Sequence, residues 1–193
     1  MAAAIRDRGY RDCTVADVVR HARTSRRTFY AHFASREDCY IALLRQSNTE
    51  MARQIAAAVD RHETWETQVR QAIEGWIAAA ESEPVLTLSW IRDVPALGEA
   101  ARQLQRESQD VFIELVQALT GTPELHAAGI RPPSRQLAIM LLGGLHELIA
   151  TTVEDGGRIS DITELAVQAT TVLLSPPARP ADRSAQTVRC LRR

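Results

Sequence analysis

Two capping boxes constrain residues 1–45 more tightly than any other feature of the chain. "TVAD" at 14–17 and "SRED" at 35–38 each place a hydroxyl at the N-cap and an acid three residues on. That spacing satisfies the orphan amides of a helix start from both directions. Between the boxes lies "ARTSRRTFYAHF": a brief break, then a third helix over "SRRTFYAHF". A short first helix reads from Ala2 to Arg8 and ends at Gly9. The helix capped by Thr14 carries Val15, Val18, Val19 and Ala22 on its apolar face. The one capped by Ser35 runs to about Arg61, with Tyr40, Leu43, Leu44, Met51, Ile55 and Val59 inward. A capped helix, a tight turn and a second short helix are what helix-turn-helix docking requires.

The third helix has two faces. At 3.6 residues per turn, Phe29 and Phe33 point together toward the second helix. Arg27 and Ala31 then form the outer face, with Thr28 and His32 on one flank and Arg26 and Tyr30 nearer the core on the other. The Arg27 fork suits the O6 and N7 atoms of guanine, and the small Ala31 permits close approach to a major groove. Thr28 and Tyr30 can bond phosphates without reading sequence. The first amides after Thr14 and Ser35 offer positive dipole ends for two more phosphates. Arg36 stands where a helix start prefers an acid, which suggests an external anion beside it. A lone Arg-Arg pair would more often be a solvated surface; the combination of these features points to DNA.

Charge supports that division. Residues 1–46 carry nine Arg against five acids, a net of +4, whereas residues 47–175 carry nine Arg against eighteen acids, a net of −9. A basic head on an acidic body suggests that the head alone meets a polyanion. No uninterrupted apolar run is long enough to suggest a membrane span, and "MAAAIRDRGY" lacks the apolar core of a secretion signal. Cys13, Cys39 and Cys190 are odd in number and lack CxxC spacing, which fits a reducing cytoplasm and neither a disulfide framework nor a zinc site. There is no GxSxG, P-loop, dinucleotide fingerprint or HExxH, and the five histidines are dispersed. The expectation is therefore a protein that is not an enzyme, with no cofactor and no metal.

Strand patterns are nearly absent and helical ones recur, so the fold class is all-α. Further helices are expected at roughly 64–81, 84–93, 97–120, 134–154 and 160–174, with Pro84, Gly121, Gly129 and Pro132-Pro133 marking breaks. The arginine- and proline-rich stretch from 176 to 193 reads as a disordered tail.

"GYRDCTVADVVRHARTSRRTFYAHFASREDCY" resembles the N-terminal domain of the TetR family of bacterial transcriptional regulators. The residues that carry the likeness are Gly9-Tyr10, Thr14-Val15, Ser25, Thr28-Phe29-Tyr30, His32-Phe33 and Ser35-Arg36-Glu37. The resemblance covers residues 5–45. It implies a DNA-binding domain over 1–45, a helical effector-binding and dimerisation domain over 46–175, and a homodimer on a near-palindromic double-stranded operator. By position, Arg26, Arg27, Ala31 and His32 fall where family members meet bases or nearby backbone. Thr28, Tyr30 and Arg36 fall at phosphate contacts, and Thr14 is expected at another through the helix start it caps. Two features depart from the pattern. The turn has Arg23 where the family usually has glycine, and the first helix is about half its usual length, with Ile5 the remnant of its apolar face.

The family dimer, a bundle of the last two long helices of each subunit, implies an interface at Leu137, Leu141, Gly144, Leu145, Leu148, Leu165, Ala169 and Val172. Gly143-Gly144 within a helix fits close helix approach, ligand space or tight packing inside the chain. A small-molecule effector pocket needs apolar walls with a few polar groups; Trp76, Trp90, Phe112, Met140, His146 and Glu147 are the candidates. The segment "WIRDVPALGEAARQLQRE" is placed by the family analogy to carry ligand occupancy to the fourth helix. The reading that results is a regulator, most often a repressor in this family, released from DNA by its effector. The alternative is a helical interaction protein whose short first helix impairs DNA binding.

Overall fold

The computed structural model describes residues 1–176. The stretch expected to form a tail, together with Cys190, lies outside the described residues save for Pro176. Among the described residues there are ten α-helices and no strand: α1 (Ala2–Asp12), α2 (Val15–His21), α3 (Arg26–His32), α4 (Arg36–Ala58), α5 (Trp65–Ser82), α6 (Pro84–Arg92), α7 (Glu99–Thr120), α8 (Pro123–Ala127), α9 (Arg135–Glu154) and α10 (Thr163–Leu174). Short 3₁₀ turns at Val94–Ala96 and Ile159–Ile162 precede α7 and α10. The short α8 is absent from the expected helices, although Thr122 and Pro123 form a cap and first position at its start.

Hydroxyl caps set many of the starts. The side chains of Thr14, Ser25, Ser35, Thr64, Thr122 and Ser134 each accept from an amide of the first turn. The Thr14 box closes in both directions with Asp17. Gly9 ends the first helical turns as expected: its φ of 73° and ψ of 164° break α1, and helical turns resume through Asp12.

Two hydrophobic clusters hold the chain. The first joins Ala4, Ile5, Tyr10, Cys13, Val18, Phe29, Tyr40, Ile41 and Leu44 to Leu86, Val94, Ala101 and Leu104. The head core is therefore completed by α6 and α7 and does not stop at residue 45. Ala22, expected on the inner face of α2, is exposed. The second cluster packs the far half of α4 (Ala52, Ile55) with α5, α7, α9 and α10. By length and composition α9 could cross a membrane; here Ala138, Leu141, Leu145 and Ile149 turn one edge of it into the core.

Candidate DNA interface and effector cavity

The reading face of α3 rests on a strained turn. Thr24 N–H donates to Val19 C=O at 3.0 Å and Arg23 N–H to Arg20 C=O at 3.2 Å, the paired bonds of a Schellman ending for α2. Arg23 takes the left-handed position, at φ 50°, where glycine is the comfortable residue. Ser25 Oγ then accepts from Thr28 N–H at 3.0 Å and starts α3.

Behind α3, Phe29 is buried and meets Phe33 at 5.5 Å between ring centroids. In front, Arg26, Arg27, Ala31 and His32 are all exposed. Neither Arg26 nor Arg27 forms an ion pair or hydrogen bond among the described residues. Tyr30 departs from its expected place near the core. It is 56% exposed, its ring edge-on to Phe29 at 5.3 Å. The Thr28 hydroxyl, expected at a phosphate, lies 3.0 Å from Ser25 Oγ. The Thr14 hydroxyl donates to Asp17 Oδ2 at 2.6 Å. Asp17 is held down to about 2, chiefly by the bonds from Thr14, then by Arg8 and Arg20.

Arg36 is engaged within the protein through one of its terminal nitrogens. Its guanidinium donates to the carbonyls of Tyr10 at 3.0 Å and Arg11 at 3.3 Å, and also to that of Cys13. It also lies over the Tyr10 ring at 4.5 Å. The carbonyls at the end of α1 supply the negative partial charge that offsets a cation at the start of α4. Tyr10 in turn stacks on Tyr40 at 4.1 Å. Arg36 is thus a staple between α1 and α4, a role beyond the phosphate contact expected of it.

In the body, Trp76, Trp90, Phe112 and His146 converge on one cavity of about 190 Å³, bounded also by Glu50, Glu83 and the α4 side chains Ser47, Asn48 and Gln54. His146 sits 5.9 Å from Trp76, and burial alone pushes its imidazole down to about 4, so it is neutral at pH 7. Trp76 and Phe112 also wall a second, apolar cavity of about 80 Å³ between α5, α7, α9 and α10. Two expected pocket residues lie elsewhere. Met140 is 56% exposed on the outer side of α9. Glu147 accepts both nitrogens of Arg92 at 2.8 and 2.9 Å, while Glu154 takes the same guanidinium at 2.7 Å. That fork holds both carboxylates below their ordinary range and ties α6 to α9.

The expected interface residues divide. Leu141 and Leu145 are buried in the core of their own chain, and Leu137 and Leu148 pack partly against it. They therefore do not form an outward stripe; α9 is apolar on both faces, and the period alone cannot say which turns inward. Gly144 and Ala169 are exposed, as are Leu165 at 56% and Val172 at 75%. A Cβ at Gly143 or Gly144 would meet nothing within 4 Å. Packing inside the chain therefore does not require either glycine.

Sequence reasoning missed the polar seam between head and body. The Tyr40 hydroxyl lies 2.7 Å from Ser89 Oγ, Ser89 donates to Asp93 Oδ2 at 2.9 Å, and Arg11 of α1 donates to Asp93 Oδ1 at 2.8 Å. Arg6 of α1 meets Glu83, the residue before α6, at 2.5 Å. No local pattern marks these pairs, because each joins residues far apart in sequence. Among the described residues no three His, Cys, Asp or Glu side chains are grouped as metal ligands.

A short, exposed, arginine-bearing helix held behind by phenylalanines, set on a helical body with an aromatic cavity, is the helix-turn-helix arrangement that suits DNA. Residues 2–43 match the family model for bacterial regulatory proteins, tetR family. The fold of the described residues is similar to that of solved transcriptional regulators. The Bacillus subtilis transcriptional regulator FadR, solved with stearoyl-CoA, superposes with a TM-score of 0.73 at 16% identity, over 91% of this chain and 95% of that one. Reduced Escherichia coli NemR gives 0.67 at 16% identity, over 92% and 95%. The Thermus thermophilus regulator PfmR gives 0.60 at 16%, over 92% and 96%. At such identities the likeness concerns the fold. No curated protein sequence matches the chain.

Proposed function

We propose that the protein is a homodimeric repressor that leaves a near-palindromic operator when a small organic effector enters the aromatic cavity. The observation that carries this reading is the outer face of α3. Arg26 and Arg27 are exposed without protein partners among the described residues, while Phe29 fixes the helix from behind. Arg27 reads a base; Arg26, His32 and Tyr30 meet the groove edge or the backbone. Ala4 and Ile5 are fully buried in the head core, which favours a competent DNA-binding domain over the alternative of a helical interaction protein.

The dimer forms through the exposed apolar faces of α9 and α10: Ile139, Met140 and the glycine pair on one, Leu165, Ala169 and Val172 on the other. Four helices packed there bury side chains that water otherwise meets, and the glycines allow close approach. Effector occupancy shifts the population of head positions, so that the half-site spacing no longer fits. The stearoyl-CoA found in the Bacillus subtilis relative is a precedent for an organic ligand in such a body.

A mobility shift with the DNA upstream of its own gene tests the reading at moderate salt. A retarded band that is lost on adding compounds found by thermal shift supports it; no band from a folded dimer removes it.

A further inference from the structure

Glu83 stands between the cavity and the DNA-binding head. Its Oε1 takes Arg6 of α1 at 2.5 Å. Its Oε2 is buried and has no hydrogen-bond partner among the described residues. The same side chain lines the cavity beside Trp76, Trp90 and Phe112. A carboxylate oxygen removed from water and left unpartnered is costly, and a donor or cation placed against it recovers that cost.

The rest of the cavity fits a cation better than an anion. No arginine lines the space, and the half-buried His146 is uncharged at pH 7; the second carboxylate there, Glu50, is already held by Arg53 at 2.6 Å and Gln54 at 2.8 Å, which leaves Glu83 as the one with an unpartnered oxygen. Tryptophan faces attract cations. The neighbouring open groove does carry Arg102 and Arg106, but Glu99 pairs with both, at 2.8 and 2.9 Å.

We propose that the cavity takes an organic amine, an apolar body bearing a protonated nitrogen, and that this nitrogen binds Glu83 in competition with Arg6. Binding frees Arg6 and loosens α1 from α6, so the ligand acts on the head through one shared carboxylate. This rests on the regulator reading above and names the effector class for it.

The test is intrinsic tryptophan fluorescence of the full chain at pH 7, titrated with 4-phenylbutylamine and with its carboxylate counterpart, 4-phenylbutyrate. The amine is expected to saturate at a concentration about tenfold lower than the acid. Glu83→Gln should abolish that preference with its circular dichroism unchanged. Arg6→Ala, which removes the competitor, should tighten amine binding severalfold. It keeps the test decisive should Glu83→Gln fail to fold. Equal or tighter binding of the acid, a preference that survives in Glu83→Gln, unchanged or weaker amine binding in Arg6→Ala, or no saturable change with the amine at millimolar concentration would each overturn the proposal. No DNA is used, so these failures leave the regulator reading standing, and a failed mobility shift leaves the amine preference measurable.

Discussion

The Tyr40 hydroxyl and the Ser89 hydroxyl lie 2.7 Å apart, both buried, and so join α4 of the DNA-binding head to α6 of the body. Burial raises the Tyr40 phenol far above its ordinary pKa, so it stays protonated throughout the working range. Ser89 passes the contact to Asp93 and Arg11. Tyr40→Phe should cost about 1 kcal/mol, because one buried hydroxyl loses its partner. Urea denaturation measures the loss. The variant should also need a different effector concentration to release DNA, while its DNA affinity without effector stays near that of the parent.

Arg36→Ala should act on stability. Removing a guanidinium that serves the carbonyls at the end of α1 and covers Tyr10 should cost about 2 kcal/mol. The salt dependence of DNA binding should be unchanged once the variant is folded. Arg26→Ala should behave in the opposite way, leaving stability alone and flattening the salt slope by about one unit per subunit. Chemical denaturation and binding at several salt concentrations separate the two.

Arg23 holds the left-handed position of the turn, at φ 50°. Glycine there relieves the Cβ strain but adds entropy to the unfolded chain, for a net gain of about 0.5 kcal/mol. Arg23→Gly should therefore raise Tm by about 1–2 °C. Arg23→Val should lower it, since a β-branched side chain suits positive φ worst. Thermal melts of both variants check the sign.

Burial holds the His146 imidazole at about 4, below its ordinary 6.5. Between these values the unfolded chain binds a proton that the folded chain refuses. The stability in question is present above about 6.5 and is lost as pH falls toward 4, by up to roughly 3 kcal/mol. Asp17 gives a lower limb: its depressed carboxyl favours the fold above about 4, and that advantage is lost as pH falls through about 2. Urea midpoints of the parent and His146→Leu across this range should differ in slope between pH 6.5 and 4 and run parallel above it.

Much of the head was legible because its signals are local. The Thr14–Asp17 box, the Ser35 cap, the phenylalanines one turn apart and the misfit of Arg23 each lie within a few residues of what they determine. The stapling role of Arg36 was not legible, because the carbonyls it serves belong to another helix. In α9 both faces are apolar, so the period could not say that Leu141 and Leu145 turn inward while Met140 turns out. The four aromatic pocket residues were found singly; only the packing of α5, α6, α7 and α9 brings them together. Glu83 carried no signal, since its role exists only once α1 reaches α6.

The central claim is base reading by the outer face of α3. Its most direct measurement is fluorescence anisotropy of the parent and Arg27→Ala, each titrated with upstream DNA and with a scrambled duplex of equal length. The expected result is a parent that prefers the upstream DNA, and a variant that loses about 1–3 kcal/mol of that preference per half-site contact while keeping its affinity for scrambled DNA. A variant with undiminished preference, or a folded parent that binds both duplexes alike, would contradict it.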